Sequence, residues 1–256
     1  MDWSIVLFLR SLLFYFLLGV STIFLLVPLL LLCLVLRETA RNRVLAIWSV
    51  SIISMLRVIC GVRHEVVGEH NIPAENGIVL CKHQSAWETF ALQLFFPAQV
   101  WVLKRELLWI PIFGWGLKVG GAIAIDRKGG KKALMQVIKQ GTERLQRGLW
   151  VVIFPEGTRS LPGSKGKYSV GGAMLAARSG YPVVPVAHNA GEFWSSKSFT
   201  IRPGTVKVII GPVLLTEGLK AGEINESSEQ WIEEQMAVIT NIDHPLEGLK
   251  VQKAQG

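Results

Sequence analysis

The sequence predicts an α/β domain with a mostly parallel or mixed sheet flanked by helices, preceded by an N-terminal apolar helical membrane anchor. A long charge-free segment lies near the start, seven short β-like apolar runs follow, and helical patterns lie between those runs. Half of the 256 residues are hydrophobic, which is a high share for a soluble protein of this size. We therefore predict anchoring helices over residues 1–61 and an α/β domain over residues 62–256.

The first predicted element is the 26-residue segment Ser11–Leu36, which contains no charged residue. As a helix it would be about 39 Å long, enough to cross roughly 30 Å of hydrocarbon with some tilt. The segment is too long for the core of a signal peptide, and no small-x-small cleavage site follows it. We therefore predict an uncleaved anchor in the membrane.

A second apolar segment, Val44–Val62, carries one charge at Arg57. We predict that it is interfacial, half-inserted or packed on the first helix. A two-pass hairpin is less favoured, because it would place the basic residues between the segments on the outer side of the membrane. Either a single pass or a shallow hairpin would leave the rest of the chain on the cytoplasmic face of the inner membrane.

After Gly61, β-like runs alternate with amphipathic helical patterns, separated by Gly and Pro. The predicted strands are Arg63–Gly68, Gly77–Cys81, Gln99–Leu103, Ala122–Asp126, Leu149–Phe154, Pro182–Ala187 and Val206–Ile210. One predicted helix begins just after Ser85, and three others are Lys131–Arg147, Ser169–Ser179 and Ser227–Ile242. This alternation is what predicts the α/β sheet.

The formal net charge of +8 predicts anionic partners, namely phosphate-bearing substrates, acidic lipid headgroups or nucleic acid. Seven of the basic residues lie within residues 104–132, and this basic middle suits a face turned to anionic lipid or phosphate. We expect no nucleic-acid partner, because these residues are not interleaved with aromatic residues in a recognisable module. The three cysteines have no metal-ligand spacing, so we expect no metal.

The stretch "KHQSAWETF", Lys82–Phe90, joins a predicted strand to a predicted helix and permits two interpretations. Ser85 and Glu88 fit a capping box, with Ser85 as the N-cap and Glu88 reaching back to it. Alternatively, His83 lies in the loop and folds over the first turn of the helix, where Glu88 would orient its ring for general-base catalysis. The motif alone leaves catalysis and capping open.

The stretch "FPEGTRS", Phe154–Ser160, follows another apolar strand and favours catalysis. Its Pro-Glu-Gly turn would project Glu156, and Arg159 offers a bidentate fork for phosphate. A surface Glu–Arg pair in a turn would explain these residues equally well if they stood alone. The chain has no G-x-S-x-G elbow, no phosphate-binding Walker motif and no zinc-ligand spacing, so these two stretches are the candidate sites.

Together, four blocks resemble the membrane-bound glycerolipid acyltransferases, in particular the bacterial 1-acylglycerol-3-phosphate acyltransferases. The blocks are "KHQSAWE", "LKRELLWIPIFGW" with "IAIDR", "FPEGTRS" and "VVPVAHN", in the family's order and spanning roughly Val62–Gly211. "FPEGTRS" is nearly a literal match to the third family block. The sequence departs from the family at Glu88, where the family usually has Asp.

The resemblance implies direct acyl transfer from a thioester donor, either acyl-CoA or acyl-carrier protein, to the free hydroxyl of lysophosphatidic acid. His83 and Glu88 would be the catalytic pair, with no cofactor. The substrate-binding residues would be Glu156, Gly157, Thr158, Arg159, Lys104, Arg105 and Arg127. Arg159 would bind the acceptor phosphate and Glu156 its glycerol hydroxyls. The residues from Leu107 to Leu117 would either line an apolar tunnel for the acyl chain or pack as ordinary core.

Two alternatives remain open at this stage. One is an acyltransferase for a different lysolipid acceptor, either a headgroup-bearing lysophospholipid or a lyso-aminolipid. The other is a membrane-tethered lipid-binding protein without catalysis, which would keep the anchor and the basic face but would have no need of His83.

Overall fold

The computed structural model describes residues 3–96 and 98–241. The N-terminal apolar segment is helical, as predicted, from Trp3 rather than Ser11 to Cys33 rather than Leu36. Helix α1 (Trp3–Ser21) continues through a π-helical turn (Thr22–Leu26) into α2 (Val27–Cys33). Helix α3 (Glu38–Met55) then runs into a second π-helical turn that ends at Cys60. By length and composition, Trp3–Cys33 and Glu38–Cys60 are both suited to cross a membrane.

All seven predicted strands are present, and they form one sheet. They are β1 (Val62–Val67), β2 (Ile78–Cys81), β3 (Gln99–Lys104), β4 (Ile123–Ile125), β5 (Trp150–Ile153), β6 (Val183–His188) and β7 (Gly204–Ile210). Their order across the sheet is β1-β7-β6-β2-β5-β3-β4. All neighbouring strands are parallel except β6 and β7, so the sheet is mixed, as predicted.

Five more α-helices lie among the described residues. They are α4 (Trp87–Phe95), α5 (Phe113–Val119), α6 (Gly130–Gln146), α7 (Gly171–Ser179) and α8 (Ala221–Ile239). The predicted helix Ser227–Ile242 is α8, which begins six residues earlier, and residue 242 lies outside the described residues. Helix α5 was not predicted, because its sequence "FGWGLKV" contains two glycines and is only two turns long.

Two buried apolar clusters pack on the sheet. One contains side chains of α6, α7 and α8, for example Val137, Leu175 and Ile232. The other joins the N-terminal helices to the sheet, with Phe14 and Ile52 packed together with Val152. The predicted boundary between residues 61 and 62 stays a prediction, but this cluster extends across it.

Polar contacts also fasten the N-terminal helices to the sheet domain. The Ser11 hydroxyl accepts a hydrogen bond from the Ile201 N–H at 2.8 Å, and the Tyr15 hydroxyl accepts one from the Trp194 indole at 2.9 Å. The Trp48 indole of α3 donates to Ser21 of α1 at 3.3 Å, so the second segment packs on the first, which is one of the three arrangements predicted for it.

Candidate active site

The predicted site residues follow strands whose carboxyl ends meet at one edge of the sheet. Parallel pairing aligns Leu80 of β2 with Ile153 of β5, and Cys81 of β2 with Val186 of β6. The loops after β2 and β5 therefore emerge side by side. This register brings "KHQSAWE" and "FPEGTRS" together, although more than sixty residues separate them.

His83 and Glu88 form the predicted pair. The Nδ1–H of His83 donates to Glu88 Oε1 at 2.8 Å, and the ring lies flat on Phe154 with its centroid 4.1 Å away. The Glu88 carboxylate is fully buried and also accepts the backbone N–H groups of Gln84 and Ser85, at 2.9 and 2.8 Å. These bonds fix the tautomer of His83 and leave its Nε2 free to accept a proton.

The capping box is only half realised. Helix α4 begins at Trp87 and its N-cap is Ala86, so Ser85, the predicted N-cap, stands one residue before the observed cap. Glu88 does bind the Ser85 N–H, but the Ser85 hydroxyl accepts from the Trp87 N–H and donates to the Trp194 carbonyl at 2.6 Å. With both contacts made and no exposed surface, Ser85 is not placed to act as a nucleophile.

Glu88 remains ionised despite its burial. Burial alone would raise the pKa of this carboxyl, but the hydrogen bonds from the His83 ring and the Ser85 N–H outweigh that effect, so the pKa lies below its ordinary value. His188 stands behind the pair, with its Nε2 3.8 Å from Glu88 Oε2. Its Nε2–H donates to the Lys82 carbonyl and its Nδ1 accepts the Ala190 N–H. Burial lowers the pKa of His188 and keeps the ring neutral.

The "FPEGTRS" loop holds the main chain of His83. Glu156 Oε2 accepts the His83 N–H at 3.1 Å, and the Ser160 N–H donates to the His83 carbonyl at 2.8 Å. The second carboxylate oxygen, Oε1, accepts from Lys82 Nζ and from the Gly166 N–H, both at 2.9 Å. The Glu156 side chain has no exposed surface.

This arrangement corrects the prediction that Glu156 binds glycerol hydroxyls. The turn does not project the carboxylate outward; the side chain points into the protein, where four protein donors already surround it. The physical reason is Lys82, a fully buried cation whose charge needs compensation. Lys82 Nζ also binds Glu233 of α8 at 2.8 Å, and Glu233 accepts the Tyr168 hydroxyl.

The other predicted binding residues divide into three groups. Arg159 and Arg127 both line a cavity of about 220 Å³ beside His83, which we call the catalytic cavity. Lys104 and Arg105 are about half exposed and do not line it, and Arg105 pairs with Asp126 at 3.1 Å. Gly157 has a φ of +67°, which favours glycine, and Thr158 after it is exposed.

The walls of the catalytic cavity are mainly apolar. They come from the N-terminal helices, α4, β3 and the segment before β4, with Leu26, Trp48, Phe90, Trp101 and Leu103 among the lining residues. Four residues of the predicted tunnel segment also line it, namely Leu107, Phe113, Gly116 and Leu117. In contrast, Trp109 and Ile110 of the same segment are exposed. A fatty acyl chain fits this kind of lining.

Other reactive groups near the edge are inert. Burial, followed by the charges of Glu88 and Glu156, raises the pKa of the Cys81 thiol well above its ordinary value, so Cys81 stays a neutral thiol. Within residues 3–96 and 98–241, no three His, Cys, Asp or Glu side chains are grouped so that they could hold a metal ion.

Sequence reasoning missed Lys82, His188 and Glu233. Lys82 adjoins the motif, and a lysine directly after an apolar strand was the available signal. His188 ends an otherwise apolar strand and was likewise visible as a polar outlier. Glu233 gave no signal, since it is one of several carboxylates on an amphipathic helix and lies 151 positions from Lys82.

The chain is similar in sequence to known proteins. A protein-family model described as Acyltransferase matches residues 63–189. The chain is 44% identical over 250 residues to a 1-acyl-sn-glycerol-3-phosphate acyltransferase of Pseudomonas aeruginosa, covering 92% of this chain and 95% of that protein. It is 31% identical over 188 residues to the Saccharomyces cerevisiae protein of that name, covering 69% of this chain and 59% of that protein.

The fold also matches a solved structure. The crystal structure of the 1-acyl-sn-glycerophosphate acyltransferase PlsC from Thermotoga maritima aligns with a TM-score of 0.75 over 90% of this chain and 94% of that chain. The two sequences are 24% identical, so this likeness supports the fold.

Proposed function

We propose an activity from one premise: the chain belongs to the family of 1-acyl-sn-glycerol-3-phosphate acyltransferases. It is a membrane-associated acyltransferase that moves a fatty acyl group from a thioester to the free sn-2 hydroxyl of lysophosphatidic acid, giving phosphatidic acid. The donor is acyl-CoA or acyl-carrier protein. The active site faces the cytoplasm at the inner membrane, and the reaction uses no cofactor.

The observation that carries the proposal is the His83–Glu88 pair beside an apolar cavity with Arg159 on its wall. A base, a chain-binding cavity and a guanidinium match the three parts of the acceptor: a hydroxyl to deprotonate, a fatty chain and a phosphate. A non-catalytic lipid-binding protein would need the cavity, but it would not need a buried carboxylate that orients a ring nitrogen.

The chemistry is a direct transfer. His83 Nε2 takes the proton of the acceptor hydroxyl as its oxygen attacks the thioester carbonyl, while Glu88 stabilises the resulting imidazolium. The tetrahedral intermediate then expels the thiolate as the carbon–sulfur bond breaks, and His83 returns the proton to the leaving sulfur. General-base assistance of this kind is worth about 10²–10⁴-fold, and positioning supplies much of the remainder.

Glu156 and Lys82 take a supporting part in this proposal. Glu156 binds the backbone N–H of His83 and Lys82 neutralises Glu156, so together they fix the loop that carries the base. Arg159 binds the acceptor phosphate, and Arg127 on the same cavity wall is a second contact. Lys104 and Arg105, outside the cavity, act on phosphate headgroups at the membrane surface.

The test is thiol release by purified protein in lipid vesicles, with lysophosphatidic acid as acceptor and both donor types. We expect His83→Ala to abolish transfer while the protein still folds and sits in the membrane. His70→Ala, which changes an exposed histidine, is the matched control and should retain full activity. A near wild-type rate for His83→Ala would rule out the mechanism, and turnover only with a different lysolipid would reassign the acceptor.

A further inference from the structure

A second cavity lies on the other side of Phe154, the residue that stacks on the His83 ring. Its volume is about 370 Å³, within the range of about 300–1,000 Å³ that is usual for small-molecule sites. We call it the side cavity. It lies between α6, α7 and the ends of β4 and β5, and its lining includes Ile125, Ala133, Leu134, Ile153, Ser169 and Gly172.

The side cavity adjoins the catalytic cavity at three residues. Val102, Arg127 and Phe154 line both cavities. Phe154 also carries the His83 ring on its face, 4.1 Å away. A group that emerges from the side cavity past Phe154 therefore arrives beside His83, where acyl transfer would occur.

The two cavities lie on different faces of the domain. The catalytic cavity is walled by side chains of the N-terminal helices, such as Leu26 and Trp48, so it lies on the side from which a lipid would enter. The side cavity is walled by α6 and α7, which pack in the other buried cluster. This face suits a substrate that comes from water.

The side cavity differs from the catalytic cavity in its chemistry as well. Its floor is aliphatic, but the Ser169 hydroxyl and the backbone of Gly157 and Gly171 also line it. A narrow chain with apolar and amide parts fits such a lining.

We propose that the side cavity receives the phosphopantetheine arm of the acyl donor, with the arm's thioester passing Phe154 to reach His83. This arm is common to acyl-CoA and acyl-carrier protein, so one cavity serves either source. The inference rests on the proposed function and adds where the donor enters. The two substrates then meet at His83 from opposite faces of the sheet.

The experiment narrows the side cavity and measures KM for each substrate separately. Leu134→Trp enlarges a half-buried side chain that lines the cavity, and Met135→Trp makes the same kind of change at an exposed position of α6 that does not line it. The donors are acyl-CoA, acyl-carrier protein and acyl-pantetheine without phosphate, all with one acyl chain. Unfolding midpoints check that both variants are folded, and Leu134→Phe replaces Leu134→Trp if the larger ring prevents folding.

We expect Leu134→Trp to raise the KM of every usable donor at least tenfold, including acyl-pantetheine, while the KM for lysophosphatidic acid stays within twofold. Met135→Trp should change neither value. The relative wild-type kcat/KM for acyl-CoA and acyl-carrier protein shows which source the protein prefers. An unchanged donor KM, or a rise confined to the acceptor, would overturn the inference. Absence of transfer in the wild type would instead overturn the proposed function.

Discussion

Replacing Glu88 with glutamine removes the charge behind the His83 ring and nearly preserves the shape of the side chain. The amide oxygen can still accept the Gln84 and Ser85 N–H groups, so the loop keeps these bonds. The substitution removes the negative charge that stabilises a protonated His83 ring. We therefore expect the variant to fold, to bind both substrates with little change in KM and to lose kcat.

The size of the loss follows from the geometry. In the transition state His83 becomes an imidazolium in contact with a buried carboxylate, 2.8 Å from Nδ1 to Oε1. We take the separation of the two charge centres as about 4 Å. Two unit charges at that separation interact by about 4 kcal/mol at an effective dielectric constant near 20. Since about 1.4 kcal/mol is a factor of ten, kcat should fall on the order of 10³-fold.

The assay is initial-rate thiol release for wild type, Glu88→Gln and Glu88→Asp, with unfolding midpoints measured alongside. Glu88→Asp restores the residue usual in the family and keeps the charge, so it should retain much more activity than Glu88→Gln. If glutamine is as active as glutamate, Glu88 serves only to cap the loop and the helix, and its assignment to catalysis is wrong.

Three further predictions concern the surroundings of the pair. Lys82→Met leaves Glu156 buried without its cation, so the free energy of unfolding should fall by about 3–5 kcal/mol and the Tm by roughly 6–20 °C; adding Glu233→Gln should not restore it, because Glu156 stays unpaired. Arg159→Ala should cost roughly 10–150-fold in kcat/KM with lysophosphatidic acid, corresponding to about 1.5–3 kcal/mol, and little with a phosphate-free acceptor, whereas exposed Arg178→Ala should cost nothing with either. His188 has a folded pKa below its ordinary 6.5, so unfolding takes up a proton below that pH; Tm should fall as the pH is lowered from about 7 to 5, with a shallower slope in His188→Asn, and equal slopes would refute the buried neutral ring.

The strands and the position of the site could be predicted because both depend on local patterns. Apolar runs bounded by Gly and Pro located all seven strands, and the ends of parallel strands meet at one edge whatever their order. That rule alone placed His83 near the "FPEGTRS" loop. The strand order could not be predicted, because it depends on how distant segments pair.

The direction of Glu156 could not be predicted for a similar reason. A Pro-Glu-Gly turn is compatible with a side chain that points outward or inward, and the direction depends on which charged groups are buried beneath the turn. Here Lys82 provides the buried positive charge, and its second partner Glu233 comes from a helix near the other end of the chain. Such a long-range balance of charge leaves no trace in local periodicity.

The hydrogen bonds that Ser11 and Tyr15 make with the sheet domain show that the N-terminal helices also fix the position of that domain. Because the N-terminal helices and the sheet domain share one buried apolar cluster, His83 is held at a fixed distance from the two segments that are suited to cross a membrane.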